Sequence, residues 1–575
     1  CLNYLDFKIS KDDVLEIIND NLKIKVKDKN GIFIGARMGR PEKAKIRKLT
    51  GSPNVLFPVG EEGGKTRSFN VALEKGYVNA QFSIFKCEKC NIKSVYPYCN
   101  KCKNKTKKLY ASNGTYAKNK KEVGYENLKL DIREYFDYAL SFLKTRNYPE
   151  LVKGVRGMSN EDHTPENLIK GILRANHNIY VNKDGTIRYD MTELPITAFK
   201  AKEIRTSIER LKELGYVIDI YGNDLINEEQ IIELKPQDVI LPSCDGADEE
   251  GADEIFYRVG NFMDDLLEKF YNVGRYYNFK DKNDLVGHLF VALAPHISAG
   301  TICRVIGFSK TQGFYAHPLM HCAVRRDCDG DEVAVILLLD ALINFSRKYL
   351  SAHRGARQDT PLVVTPILIP SEVDDMIYNM DIVKEYPLEF YEACEKYTYP
   401  WDFKIETVRD RLEKENENYN YFFTHDTSDI NHGVRYSSYK RLPTMQEKVL
   451  GQMELARKIR AVDEDDVARL VVERHFIRDI RGNLRKFSQQ EFRCSSCNTK
   501  YRRPPLIGNW LKCGGKIIFT VSEGGITKYL GPSLSLAEKF NLPPYLQQSL
   551  DLTKMMVESV FGKEKDKQEG LGRWF

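Results

Sequence analysis

Four cysteines within sixteen residues, Cys87-x2-Cys90 and Cys99-x2-Cys102, constrain this chain more than any other feature. Two such pairs put four thiolates on two tight turns, which closes a tetrahedral structural zinc site and leaves no position for substrate. A zinc ribbon is therefore expected over 86–125. The thirteen cysteines are odd in number and seven fall in two local clusters, a pattern of metal ligation in a reducing compartment rather than a disulfide framework. The second cluster, Cys494-x2-Cys497 with Cys513, is incomplete. Its distal turn wants Cys at 510, where Trp510 stands. Either a fourth zinc ligand comes from elsewhere, or this ribbon, over 491–530, is degenerate and keeps its shape by packing.

The 575 residues suggest about four domains at roughly 150 residues each. A composition of 42% hydrophobic and 29% charged residues excludes wholesale disorder, collagen and a disulfide mini-scaffold. Net charge is only +6, yet between residues 86 and 121 eleven lysines face one acid, Glu88. With Tyr96, Tyr98, Tyr110 and Tyr116 among them, these lysines suit a nucleic-acid surface, phosphates on the cations and bases on the rings. A solvated, self-repelling face is the alternative. Residues 245–254 hold six acids and read as an exposed boundary loop before a helical pattern over 256–271. The apolar run 333–339 is far short of the ~18 residues that span a bilayer, and no signal peptide opens the chain. It opens on Cys1, so a processed or excised piece is expected, with something missing upstream.

The richest stretch runs from Ala316 to Glu332 and contains Asp327, Asp329 and Asp331 at alternate positions, with Gly330 between the last two. Three carboxylates on one turn repel unless a counter-charge is present, and a hard divalent cation such as Mg²⁺, open to substrate phosphates, supplies it. An ordinary acidic turn and a calcium loop are the alternatives; the latter lacks Glu at its twelfth position. Arg325 and Arg326, just before the acids, favour a triphosphate-handling site. His317 and His321 are four apart and are expected to be structural or substrate-contacting rather than metal ligands. The apolar stretch from Val333 to Leu350 reads as a buried helix or a strand running into one. Residues 183–190 read as a hairpin turn, and 354–366 as a turn leading into a β-rich segment.

Several of these motifs together resemble the catalytic heart of the large subunit of archaeal family D DNA polymerase. They are Pro295-His296-Ile297-Ser298-Ala299-Gly300, Ile306-Gly307-Phe308-Ser309-Lys310, Ala316-His317-Pro318 and Cys328-Asp329-Gly330-Asp331-Glu332; the segment from Ile34 to Lys45 resembles that family's basic motif. That family has Asn at the position of Asp327, so this chain is nearer the D-x-D-G-D of RNA polymerases. The resemblance implies a mixed α+β multidomain fold, with two double-psi β-barrels forming a polymerase core, zinc ribbon insertions and helical accessory regions. On this reading 1–85 leads the first barrel, 86–125 is the zinc ribbon, and 126–235 completes the first barrel with a helical connection. The second barrel with the aspartates then spans 236–375, a helical clamp-like region 376–490, the degenerate ribbon 491–530, and a C-terminal helical region 531–562.

Carried over, the resemblance makes Asp327, Asp329 and Asp331 catalytic, with Asp329 and Asp331 holding two Mg²⁺ ions for attack of the primer 3′-hydroxyl on the nucleotide α-phosphate. Arg37, Arg40, Lys43 and Lys45 become the opposite wall of the site, where by themselves they read as a basic surface loop. His317, His321, Arg325 and Arg326 fall in the nucleotide or primer shell. The expected partners are primer-template DNA and dNTPs, a small exonuclease subunit and the upstream part of the large subunit, in the cytoplasm of an archaeal cell. The tail 563–575 ends in Gln568, Leu571, Trp574 and Phe575, the spacing of the peptide that docks replication proteins on the sliding clamp (PCNA). Two other functions compete: an RNA polymerase-like subunit, and a non-catalytic zinc-ribbon tether for DNA.

Overall fold

A computed structural model of the chain describes residues 14–21, 52–109, 125–157, 163–328, 330–346, 362–383, 385–412, 429–432, 435–436, 442–459, 462–494, 500–503, 505–511, 514–519 and 521–562. The chain divides into two compact units, one of residues 46–436 and one of residues 1–45 with 437–575.

In the larger unit the strands, in chain order, are β1 (Tyr77–Ser83), β2 (Phe85–Lys86), β3 (Lys93–Ser94), β4 (Lys107–Lys108), β5 (Tyr125–Asp131), β6 (Tyr189–Pro195), β7 (Ala198–Lys200), β8 (Ile231–Glu233), β9 (Asp238–Pro242), β10 (Leu289–Leu293), β11 (Ala299–Ser309), β12 (Phe314–Ala316), β13 (Glu332–Leu337) and β14 (Val363–Thr365). Six of them close on themselves in the order β10-β13-β6-β12-β9-β11, with β11 returning to β10 and β14 added outside on β11. The pairs β6–β12 and β9–β11 are parallel and the other four antiparallel. This is one closed six-stranded barrel. It takes β6 from ahead of residue 236, where the sequence placed a barrel boundary, because β6 supplies the partner that β12 and β13 both need.

The run 333–339 resolves into strand β13 passing directly into a helix, Leu338–Asn344. Its strand part shows no alternation of polarity because both faces are covered. Val333, Val335 and Leu337 join Phe290 and Ala292 in the main core, while Ala334 and Ile336 pack with Val291, Leu293 and Ala341 in a separate cluster. Gly307 lies at a register shift in β11, where a Cβ would come 2.5 Å from the Ile204 carbonyl oxygen, so only glycine allows this approach.

Two helices brace the barrel unit. Leu168–Asn176, capped by the Asn167 side chain, is buried on nearly every side. It carries Arg174, which donates to both oxygens of Glu166 at 2.8 and 2.7 Å, both residues wholly buried. The second helix is Ala252–Leu266, as the 256–271 pattern predicted, extended by a wider turn over Leu267–Tyr271. The hairpin expected at 183–190 is a turn through Gly185, at φ 89°, leading into β6.

In the smaller unit, Met445–Lys458 starts with a Thr444–Glu447 capping box. Its core gathers Val449, Met453, Phe476, Ile480, Tyr529, Leu536 and Leu550, with the Phe476 and Tyr529 rings stacked at 4.7 Å. The unit also holds β15 (Phe492–Cys494), β16 (Lys500–Tyr501) and β17 (Ile517–Ile518). Among the described residues, no helix is long and apolar enough to cross a membrane.

Candidate active site and the two cysteine elements

The motifs singled out in residues 295–332 lie on the barrel strands and on the turns that join them. Ala299-Gly300 and the Ile306–Ser309 stretch all lie in β11, and Phe314–Ala316 is β12. Arg188 ties the Pro295–Gly300 motif down by donating to the carbonyls of Pro295 and Ile297 at 3.2 and 3.1 Å. His317 then caps the helix Pro318–Ala323, its Nδ1 accepting from the Leu319 amide at 3.1 Å, and Pro318 takes the first helical position, where no amide hydrogen is needed. From this helix the chain returns to β13 through a turn with Arg325, Cys328 and Gly330 at φ 58°, 58° and 93°. That turn is the carboxylate loop.

Within it Asp327 is exposed and Asp331 half-buried, and Arg326 reaches Asp331 at 3.4 Å. The loop's anchor is Glu193 on β6, which no sequence motif singled out. The Glu193 amide donates to the Asp331 carbonyl at 2.9 Å, and the Asp331 amide donates to Glu193 Oε1 at 3.2 Å. Oε2 of Glu193 lies 3.1 Å from His321 Nδ1, and both side chains are wholly buried. His317 is buried as well, and its pKa is pushed down to about 3 by burial and by the neighbouring His321. The two histidines, expected near nucleotide or primer, are both wholly buried, and His321 reaches the loop through Glu193. The Cys328 thiol, between the aspartates, is held protonated by its hydrogen bond to Cys322 and by burial. Asp329 and the basic residues Arg37, Arg40, Lys43 and Lys45 lie outside the described residues, as do Gln568, Leu571, Trp574 and Phe575.

The first cysteine cluster comes together as its spacing predicts. The sulfurs of Cys87, Cys90, Cys99 and Cys102 all lie within 4.8 Å of one another, compatible with thiolates ~2.3 Å from a shared zinc. Strands β3-β2-β4 hold them, with Phe85 opposite Ser94. The Cys99 amide donates to the Asn104 carbonyl at 2.9 Å and the Lys103 amide to the Cys99 carbonyl at 2.8 Å, with Lys103 at φ 59°. The Cys102 thiol is lowered to about 7, chiefly by a backbone hydrogen bond from Asn104, while Cys90 is pushed up to about 12, chiefly by its hydrogen bond to Cys102, so the set readily holds one thiolate.

The second cluster repeats this backbone. Strands β16-β15-β17 have the same order, and Phe492 opposes Tyr501 as Phe85 opposes Ser94. The Trp510 amide donates to Gly515 and the Gly514 amide to Trp510, each at 2.8 Å, with Gly514 at φ 68°. Trp510 therefore occupies the structural place of Cys99. Its ring packs on Tyr501 at 4.0 Å between centroids. Cys494 is buried at the end of β15, while Cys497 and Cys513 lie outside the described residues.

Residues 144–448 match the family model described as DNA polymerase II large subunit DP2, catalytic domain, and residues 2–121 that of its central domain. Over 596 residues the chain is 49% identical to the DNA polymerase II large subunit of Archaeoglobus fulgidus, covering 99% of this chain and 51% of that protein. This chain belongs to the DNA polymerase II large subunit family. Its identity to the Pyrococcus furiosus protein of that name is 47%, covering 95% of this chain and 44% of the relative. To the Nanoarchaeum equitans protein it is 46%, covering 96% and 48%. The chain thus spans about half the length of the curated large subunits it matches. The carboxylate loop falls within the catalytic-domain match and the four-cysteine element within the central-domain match; the Trp510 element lies outside both.

Proposed function

We propose that this chain carries the nucleotidyl-transfer site of a replicative DNA polymerase large subunit. The observation that carries the reading is the loop holding Asp327 and Asp331, joined to a closed barrel through the buried Glu193–His321 pair, with Arg326 beside it. Hard oxygen donors on one turn fit Mg²⁺, and Asp327, Asp329 and Asp331 would hold it. Bound there, two such ions would lower the pKa of the primer 3′-hydroxyl and neutralise the departing pyrophosphate. The protein's own part is positional. Glu193 fixes the Asp331 backbone, and Arg326, paired with Asp331 here, is placed to turn toward a triphosphate. Arg37, Arg40, Lys43 and Lys45 are assigned to the opposite wall, on their resemblance to the family's basic motif.

The closed barrel, with two parallel pairs among antiparallel ones, supports reading it as one of two double-psi barrels, the other completed with an upstream half of the subunit. The four-cysteine element is read as a structural zinc ribbon. The small exonuclease subunit and the sliding clamp, met by Gln568, Leu571, Trp574 and Phe575, complete the proposed assembly.

Primer extension by the chain with its upstream half and small subunit tests the catalytic reading. Asp331→Asn and Asp329→Asn should lower extension on the order of 10²–10³-fold, the scale of losing one well-placed charge-stabilising group. Glu193→Gln should lower it about 10–100-fold, as support residues behind metal ligands do. Unchanged extension in both aspartate variants would remove the assignment, and a preference for ribonucleotides would move it to RNA synthesis.

A further inference from the structure

The Trp510 element projects an apex that stands open to solvent among the described residues. Between β16 and β17 a turn closes through the Gly508 amide, which donates to the Pro505 carbonyl at 3.0 Å, with Gly508 at φ 74°. Leu506 and Ile507 stand at its tip, Leu506 fully exposed and Ile507 67% exposed. The matching stretch of the first element, just after β3, has Val95 and Tyr96 buried in the core. An exposed aliphatic apex is therefore no requirement of the shared backbone plan, and two adjacent aliphatic side chains at one tip form an apolar spot that a partner can cover.

Charge identifies the partner. Residues 485–520 contain eight Lys and Arg against one acid, Glu491, a local net of +7. Arg502 and Arg503 immediately precede the apex, Lys500 and Lys516 lie on the flanking strand and turn, and all four are exposed. Glu491 meets Lys500 at 3.4 Å. A short aliphatic tip flanked along the chain by exposed cations matches the way proteins press an apolar wedge on a base step in the minor groove while holding the phosphates on either side.

We infer that this apex is a duplex-DNA contact, with Arg502, Arg503, Lys500 and Lys516 on phosphates and Leu506 and Ile507 against the minor groove. The inference stands apart from the catalytic reading, because it is tested by binding and not by extension.

The test measures equilibrium binding of a short labelled DNA duplex by the assembled polymerase across a series of salt concentrations. Arg502→Glu with Arg503→Glu should weaken binding at least about tenfold and reduce the slope of log affinity against log salt by about 2, since each lost phosphate contact removes roughly 0.9. Leu506→Ser with Ile507→Ser should weaken binding severalfold and leave the slope unchanged. These side chains are exposed, so an unaltered thermal unfolding profile is expected, and Arg502→Lys with Arg503→Lys should restore the slope. Unchanged affinity and slope in the charge-reversed protein would overturn the inference. So would intact DNA affinity with loss of the small subunit from the purified complex, which would assign the apex to a protein interface. Asp331→Asn provides the separation: it should lower extension on the order of 10²–10³-fold while leaving duplex binding in place.

Discussion

The two small three-stranded elements share a backbone and differ in what closes them. In both, the first strand is central, its aromatic residue faces a partner nine positions on, and the distal turn makes the same two hydrogen bonds around one left-handed residue. In the element of 85–108, four sulfurs meet between that turn and the one after the first strand. In the element of 492–518, Trp510 stands where Cys99 would and packs on Tyr501 with the rings tilted by 42°. The hydrogen-bond pattern of such a turn belongs to the backbone, so either a metal or a ring can close it. The choice has consequences for stability, because a metal joins the turns by coordination whereas a packed ring contributes only by contact.

The largest expected effect that separates them is metal removal. Cys99→Ser, or strong chelation, should release one zinc equivalent and unfold residues 85–108 locally, given the ~10–16 kcal/mol that structural zinc supplies in short peptides. Metal analysis with amide exchange over both elements reads this out, and the 492–518 element should keep its protection. Conversely, Trp510→Ala should loosen that element by about 2 kcal/mol, the scale of a half-buried aromatic contact, without altering zinc content.

A sharper experiment restores the missing ligand. Trp510→Cys should raise zinc stoichiometry by one equivalent if Cys494, Cys497 and Cys513 complete the set. Stoichiometry that stays unchanged would show that these three thiols do not converge, and that the element has become a packed fold with no memory of a metal.

Acid should distinguish the units that carry the two elements. His317, in the barrel unit, has an ordinary pKa of 6.5 that burial and His321 depress to about 3 in the fold. The unfolded chain takes up a proton below 6.5 that the folded chain refuses, so this contribution to stability falls as pH drops from 6.5 toward 3. Asp340, in the same unit, is raised from 3.8 to about 6 by burial and acts in the opposite direction between those values, stabilising the fold as pH drops. His317→Gln should therefore flatten the acid-side loss of stability in the barrel unit and leave the melting of the helical unit unchanged. Melting curves against pH, followed by exchange in each unit, resolve it.

Much of the candidate site is legible in the sequence, and the reason is local. Cys-x2-Cys spacing, the alternation of Asp327, Asp329 and Asp331, and the Pro318 that starts a helix after His317 are all properties of a few consecutive residues. Their short-range geometry follows from bond lengths and allowed dihedrals. The missing Cys at 510 is equally visible, and the structure adds that the turn survives its loss. Glu193 carries no such signal. It sits in an unremarkable strand pattern 138 residues before Asp331, and only the β6–β13 pairing brings the two backbones together. The histidines show the same limit from the other side: their spacing is readable, but their complete burial is not.

The sequence by itself thus determined which chemistries the chain can offer: thiolates in two sets, one short of a ligand, and carboxylates crowded beside arginines. The tertiary structure decided which groups support the loop and which reach solvent. It buried Glu193, His317 and His321, left Asp327 exposed, and set Leu506 and Ile507 on an open apex while burying Val95 and Tyr96 in the sister element. Burial is settled by which distant strand or helix covers a side chain, and that depends on closing a barrel from strands nearly 150 residues apart, a matter no local pattern encodes.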